Sequence, residues 1–185
     1  MIAADEAAPL LKRARRILVI GCSGSGKSTL SQALSARLGS AYVSMDREVF
    51  WLPGWNLRER GEIRRLVAEA VAGDRWIMDG TSPGTLDLRL PRADMVVWLR
   101  MPRLLCIARV VKRRILHSGR SRPEMAPGCP EKIDWEFLRY IWNFERTETP
   151  EIREALARHG PDVPVATLRS PAAVRDLLAR LDAAL

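Results

Sequence analysis

Histidine and cysteine are scarce in this chain, with two of the first and three of the second in 185 residues. Cys22, Cys106 and Cys129 are odd in number and widely spaced, which excludes a disulfide framework and a Cys/His metal finger. Long apolar runs are missing too. The longest, such as MVVWL at 95–99, are far too short to cross a bilayer. At the start of the chain the basic cluster follows the first apolar stretch, the wrong order for a secretory signal. A reduced, cytoplasmic protein is the expectation. Acid is absent from one whole segment. Residues 100–122 carry Arg100, Arg103, Arg109, Lys112, Arg113, Arg114, Arg120 and Arg122 and no Asp or Glu, while the remainder balances at 22 positive against 22 negative. That segment therefore holds the entire net charge of +8. A local excess implies a local anionic partner: a polyphosphate, a nucleic-acid backbone or a membrane surface. The alternative is a solvated basic helix in a chain with 26 Arg and 4 Lys.

The apolar pattern alternates between strands and helices. RILVI (16–20) is a short buried-strand run, followed by a helix whose Leu30, Ala33, Leu34 and Leu38 share a face and which Gly39 ends. AYVSM (41–45) is a second strand, and 47–57 an irregular loop with Pro-Gly at 53–54. A helix over 58–73 uses Ile63, Leu66, Val67, Ala70 and Val71. Strands at 75–79, 94–99 and 163–168, a basic helix at 103–117, helices at 134–147 and 150–159, and a C-terminal helix complete the pattern. The alternation predicts an α/β fold: a five-stranded parallel sheet with helices on both faces, in one domain over residues 1–185. Residues 118–133 hold three prolines and two glycines with little periodicity, and read as a flap or lid.

Between the first strand and its helix stands GCSGSGKS, Gly21 to Ser28, which fits G-x-x-x-x-G-K-[ST] at every fixed position. The chemistry needs these types. Gly21, Gly24 and Gly26 let the backbone fold tightly, so that N–H groups from Ser23 to Thr29 converge on phosphate oxygens. The helix that follows points its positive end at the same anion. Lys27 can reach the β- and γ-phosphates and Ser28 can ligate Mg²⁺. Cys22, at a helix start, is expected to favour thiolate. A second metal-side acid should end a neighbouring strand, and both Asp79 and Asp46 fit, because ligands of parallel sheets bind at the strands' carboxyl ends. Asp46 is left open as general base, metal-side group or acceptor-orienting group. Trp51 and Trp55 either stack on a planar acceptor or plug the edge of the core. Arg89 either holds an anionic group of the acceptor or is a surface arginine. Trp142 reads as core packing.

Over nearly its full length the chain resembles the small-molecule and nucleoside monophosphate kinase branch of phosphate-loop NTPases, the adenylate kinase-like proteins. The likeness rests on Gly21–Ser28, on Ile77-Met78-Asp79-Gly80, on the Arg109 to Arg113 stretch after the fourth strand, and on the Pro/Gly-rich flap between two helices. Within that branch it is similar to proteins labelled DNA topology modulation, or FlaR-like. The shared pieces are Asp46…Trp51-x-Pro-Gly-Trp55, Trp76 to Gly80, Leu86-Asp-Leu-Arg89…Arg92-Ala-Asp94, Gly119-Arg120-x-Arg122-Pro123-Glu124 and Cys129-Pro130-Glu131. The resemblance implies the three-layer fold of that branch and a kinase using ATP and Mg²⁺. It implies that Arg109 packs on the donor base and that Arg113 binds phosphate. Arg120 and Arg122 would close on the γ-phosphate from the flap. The loop Leu168 to Pro171, with Arg169, would wall the adenine. One departure matters. Adenylate kinase follows its Asp-Gly with Phe-Pro-Arg, whereas this chain has Thr81-Ser82-Pro83 and adds the Trp-x-Pro-Gly-Trp loop. That puts AMP as acceptor in question.

Two functional classes follow. The first is an ATP–Mg²⁺-dependent phosphotransferase, with Lys27, Asp46, Arg113, Arg120 and Arg122 as its catalytic set. Asp46, Trp51, Trp55 and Arg89 form its acceptor side. The second is a nucleic-acid-associated ATPase or regulator, for which the basic segment would serve but no helix-turn-helix, zinc or RNA-binding signature is present. The absence of N-K-x-D and D-x-x-G motifs argues against a guanine-nucleotide switch.

Overall fold

The computed structural model of the protein describes residue 2 and residues 4–116, 125–130 and 133–184, with backbone only for residues 4 and 5. His117, Arg120 and Arg122, and most of the expected flap, lie outside the described residues.

Helix α1 (Ala4–Arg13) leads into β1 (Arg16–Gly21) and α2 (Lys27–Leu38). β2 (Ala41–Ser44) runs directly into a turn of π-helix, Met45–Phe50, and then a small hairpin of β3 (Trp51–Leu52) and β4 (Asn56–Leu57). α3 (Arg60–Ala72), β5 (Trp76–Asp79) and the one-turn α4 (Leu86–Arg89) follow. β6 (Met95–Leu99), α5 (Arg103–Leu116), α6 (Trp135–His159), β7 (Val165–Leu168) and α7 (Pro171–Ala184) complete the chain. The main sheet has the order β2-β5-β1-β6-β7, and every neighbouring pair is parallel. β1 lies at its centre, with Val19 opposite both Asp79 and Val97. Ile17 to Ile20 and Met95 to Leu99 are buried, as a central parallel strand covered on both faces requires. α1, α2 and α7 pack together, and α3, α4, α5 and α6 pack together, one group to each face. From β1 the chain runs to the edge strand β2, returns through β5 and crosses to β6 and β7 on the other side of β1, so the order reverses at β1 and a crevice opens there above the carboxyl ends of the strands.

The predicted α/β sheet is present, with its strands trimmed by one or two residues at some ends. Four local features differ from the sequence expectation. α1 was not anticipated, because Pro9 interrupts its pattern; Ala7, Ala8 and Leu11 nonetheless bury one face, and the helix packs against α7. The stretch expected as a loop over 47–57 is instead the π-helical turn plus the β3–β4 hairpin. The segment between β5 and β6 contains α4 flanked by 3₁₀ turns. The two helices expected at 134–147 and 150–159 are one helix of 25 residues. Pro150 does not break it because Pro150 and Arg146, whose carbonyl loses its partner, both face solvent, while Thr149 and Ile152 beside the proline stay buried.

Candidate active site

The loop from Gly21 to Ser28 closes around the N-terminus of α2, with Ser25 N donating to the Cys22 carbonyl (3.1 Å). Gly24 has φ +77°, and a Cβ there would stand 2.4 Å from the Cys106 carbonyl oxygen, so the loop can seat on α5 only with glycine at this position. Lys27 Nζ donates to the Cys22 carbonyl (3.0 Å), which lays its side chain across the loop mouth. Ser23, Gly24, Ser25, Gly26, Lys27, Ser28 and Thr29 all line a cavity of about 940 Å³. That size is at the upper end of the range for small-molecule sites. Gly21 lies beneath the loop, where its N–H donates to Thr81 Oγ1 (2.9 Å) and its carbonyl accepts from the same hydroxyl (2.7 Å).

Asp79 ends β5 beside the loop. Ser28 Oγ donates to Asp79 Oδ2 at 2.6 Å, and the Tyr42 hydroxyl donates to the same oxygen at 3.1 Å. Burial pushes the Asp79 carboxyl above its usual range, against the pull of Ser28 and Lys27. A hard oxygen pair at the phosphate end of a cavity is the donor set that Mg²⁺ accepts when phosphates and water supply the other ligands. Gly80 follows with φ +120°, where a Cβ would stand 2.7 Å from Met45 Cβ; this is why the strand ends in Asp-Gly. A carboxyl whose folded pKa is raised is destabilising once it is ionised, and the penalty disappears as pH falls through that folded value. Asp79→Asn is therefore expected to raise the melting temperature of the nucleotide-free protein at pH 7. The same change should weaken Mg²⁺-dependent ATP binding by an order of magnitude or more. Calorimetry with and without Mg²⁺ checks both signs.

Asp46 stands on the π-helical turn, exposed and lining the same cavity. The turn is capped by Ser44 Oγ, which accepts from Arg47 N. Beyond it the hairpin brings Trp51 and Trp55 edge to face, centroids 5.2 Å apart, both on the cavity wall. The strip 125–130 packs against them. Met125, Ala126 and Cys129 form a small apolar cluster with the two indoles. Trp55 Nε1 donates to the Pro130 carbonyl (3.0 Å), Gly54 N to the Gly128 carbonyl (3.0 Å) and Cys129 Sγ to the Leu52 carbonyl (3.3 Å). The two tryptophans thus face the cavity on one side and the flap on the other. Asp134, Phe137 and Met125 complete this wall, and Asp134 also caps α6 by accepting from Phe137 N (2.8 Å).

The arginines divide. Arg109 donates to the carbonyls of Ser25 (3.0 Å) and Gly24 (3.4 Å), so it lies against the phosphate loop, and Arg113 lines the cavity one turn later. Arg89 does not take the acceptor role expected for it. It is fully buried and donates to the carbonyls of Gly80 (2.6 Å), Thr81 and Ser82 (3.0 Å), bracing the loop that follows Asp79. Burial lowers its pKa to about 10. Arg169 also differs. It is exposed and borders a second, smaller cavity with Arg100, Arg103 and Trp142, while Pro171, Val174 and Arg175 take the wall beside Thr29 and Ala33. Trp142 is half exposed beneath Arg103, whose guanidinium carbon lies 3.9 Å from the ring centroid, and is not the core residue expected. The basic segment is therefore not one strip, since Arg100 pairs with Glu145 and Arg109 turns inward.

Cys22 is not the thiolate expected at a helix start. Its thiol is buried against Cys106, and that contact together with burial pushes its pKa up. Sequence reasoning also missed Thr81, Tyr42 and Arg175. Tyr42 had a visible signal, because it lies two residues before Ser44, the register partner of Asp79, and so on the same face of the sheet. Thr81 and Arg175 had none.

A family model described as an AAA domain matches residues 17–124, which spans the phosphate loop, Asp46, Asp79 and α5. The chain is 32% identical over 147 residues to the uncharacterized protein YqaC of Bacillus subtilis (strain 168), covering 78% of this chain and 81% of that one. It is 33% identical over 133 residues to a protein of Thermococcus onnurineus (strain NA1) named "Putative adenylate kinase", covering 68% and 65%. In fold it is similar to the shikimate kinase of Acinetobacter baumannii solved with shikimate, at a TM-score of 0.57, 17% identity and 94% coverage of each chain. Among the described residues no helix is long and apolar enough to cross a membrane.

Proposed function

Because the chain belongs to the AAA-domain family of phosphate-loop proteins and has a kinase-like fold, we propose that it is a kinase moving the γ-phosphoryl group of ATP to the hydroxyl of a small molecule. The observation that carries this reading is the cavity itself. It runs without interruption from the phosphate loop and Ser28 to Asp46, Trp51 and Trp55, so a donor and an acceptor fit end to end. The backbone N–H groups of the loop and Lys27 hold the β- and γ-phosphates. Ser28 and Asp79 would hold Mg²⁺, which when bound neutralises charge on the transferring oxygens. Arg109 lies along the donor side with Pro171 and Val174 opposite, and Arg113 faces the phosphates. Asp46 orients the acceptor hydroxyl and takes its proton. Residues 118–133 act as the lid of a single domain, with Arg120 and Arg122 closing on the γ-phosphate and water expelled as they do. The nucleic-acid reading, and with it the DNA-topology likeness, is disfavoured by the inward pairing of Arg100 and Arg109.

The test is transfer of labelled γ-phosphate from ATP–Mg²⁺ to a panel of hydroxylated metabolites and nucleosides. Asp46→Asn should cut transfer at least a hundredfold and leave ATP affinity within a factor of three. ATP hydrolysis stimulated by DNA, with no acceptor phosphorylated, would sink the proposal.

A further inference from the structure

The walls of the large cavity differ in charge. Its cations, Lys27, Arg109, Arg113 and Arg175, all belong to the phosphate loop, α5 or α7. The opposite wall consists of Asp46, Trp51, Trp55, Met125, Asp134 and Phe137, and among the described residues it carries no cation. Arg89, the arginine that sequence alone would place at the acceptor, is fully buried and engaged with three backbone carbonyls, so it cannot reach a ligand without dismantling the loop after β5. A phosphate monoester or carboxylate placed at this wall would meet the exposed Asp46 carboxylate and two indoles. Neither group returns the hydrogen bonds that an anion loses on leaving water. A flat, uncharged or positively charged ring meets the same wall favourably, because aromatic faces attract cations and stack on planar groups.

From this difference between the walls, and resting on the kinase reading above, we infer that the acceptor is an alcohol carried on a flat ring that bears no negative charge. It is nucleoside-like in its chemistry, not nucleotide-like. In the transfer the acceptor oxygen bonds to the γ-phosphorus and the bond from that phosphorus to the β–γ bridging oxygen breaks. ADP leaves with the electron pair, and the hydroxyl proton passes to Asp46 and on to solvent. Among the described residues the absence of a cation on this wall separates the chain from enzymes that grip an anionic acceptor with arginines, since Arg89 is a structural brace.

The experiment uses the full chain and matched pairs of ring alcohols: adenosine and AMP, cytidine and CMP, pyridoxamine and pyridoxamine 5′-phosphate. Titration calorimetry is run with and without a non-hydrolysable ATP analogue and Mg²⁺, and the analogue's own binding is measured separately. The unphosphorylated member of each pair should bind at least tenfold tighter than its phosphate. Asp134→Asn keeps the helix cap, since asparagine caps as well as aspartate, but removes one charge; it should shrink that ratio at least threefold without changing the melting temperature. Equal affinities, a preference for the phosphates, or no binding by any unphosphorylated member overturns the inference. A charge preference found in a protein that does not bind the ATP analogue keeps the acceptor assignment and sinks the kinase reading.

Discussion

Lys27→Ala lowers the rate of phosphoryl transfer by about a thousandfold, or about 4 kcal/mol of transition-state stabilisation, and leaves the fold intact. The two halves of this expectation come from different features. Lys27 is half buried, and its ammonium donates to the Cys22 carbonyl at the loop mouth. It is not part of the core, so truncation leaves no cavity, and the Cys22 carbonyl keeps the Ser25 N–H as a donor. Melting should shift by less than about 2 °C. On the kinase reading the kinetic loss is large because the lysine would approach the γ-phosphate most closely as the bond to the bridging oxygen lengthens, so its contribution would be greatest in the transition state. Steady-state kinetics and thermal melting of the same preparation check both halves. A variant that keeps transfer within tenfold of wild type would remove Lys27 from the chemistry.

Arg89→Met has the opposite signature. Methionine fills a similar volume but withdraws the donors that satisfy the carbonyls of Gly80, Thr81 and Ser82. The Gly80 and Thr81 carbonyls then lose this donor, while the Ser82 carbonyl keeps Thr85 N and Oγ1, at a cost of about 3 kcal/mol in all, which corresponds to a drop in melting temperature of about 10 °C for a chain of this length. Arg89→Lys should recover less than half of that, because one ammonium cannot span three carbonyls that a planar guanidinium bridges. Thr81 sits in the braced loop and holds Gly21, so residual folded protein should also bind ATP more weakly. If Arg89→Met instead melted like wild type and lost only acceptor affinity, the arginine would be a ligand after all.

That contrast shows where sequence reasoning stops. The phosphate loop and the acid ending β5 were legible because backbone geometry dictates them: a strand, a tight glycine turn and a helix leave few choices of residue type. The stretch Leu86-Asp-Leu-Arg89…Arg92-Ala-Asp94 looks as rich in chemistry, yet its polar groups serve the scaffold. Asp87 pairs with Arg64, Arg92 donates to the Val71 and Ala72 carbonyls, and Asp94 accepts from Arg16 and from the Arg15 and Arg16 amides. Nothing in a one-dimensional string separates an arginine that meets a ligand from one that meets carbonyls. Burial decides it, and burial depends on α4, which the pattern did not reveal. Trp142 fails in the reverse direction: its helical spacing matches the core face of α6, but the face turns away where Arg103 covers the ring.

The hairpin of β3 and β4 and the strip 125–130 share one small core, made by Trp51 and Trp55 with Met125, Ala126 and Cys129. Cys129 ties to Leu52, Gly128 to Gly54, and Trp55 to Pro130. Among descendants of one ancestral sequence, a change at Trp51 or Trp55 should survive mainly with a matching change near Cys129. The hairpin positions that line the cavity and the strip positions that back them would then drift as a single inherited unit.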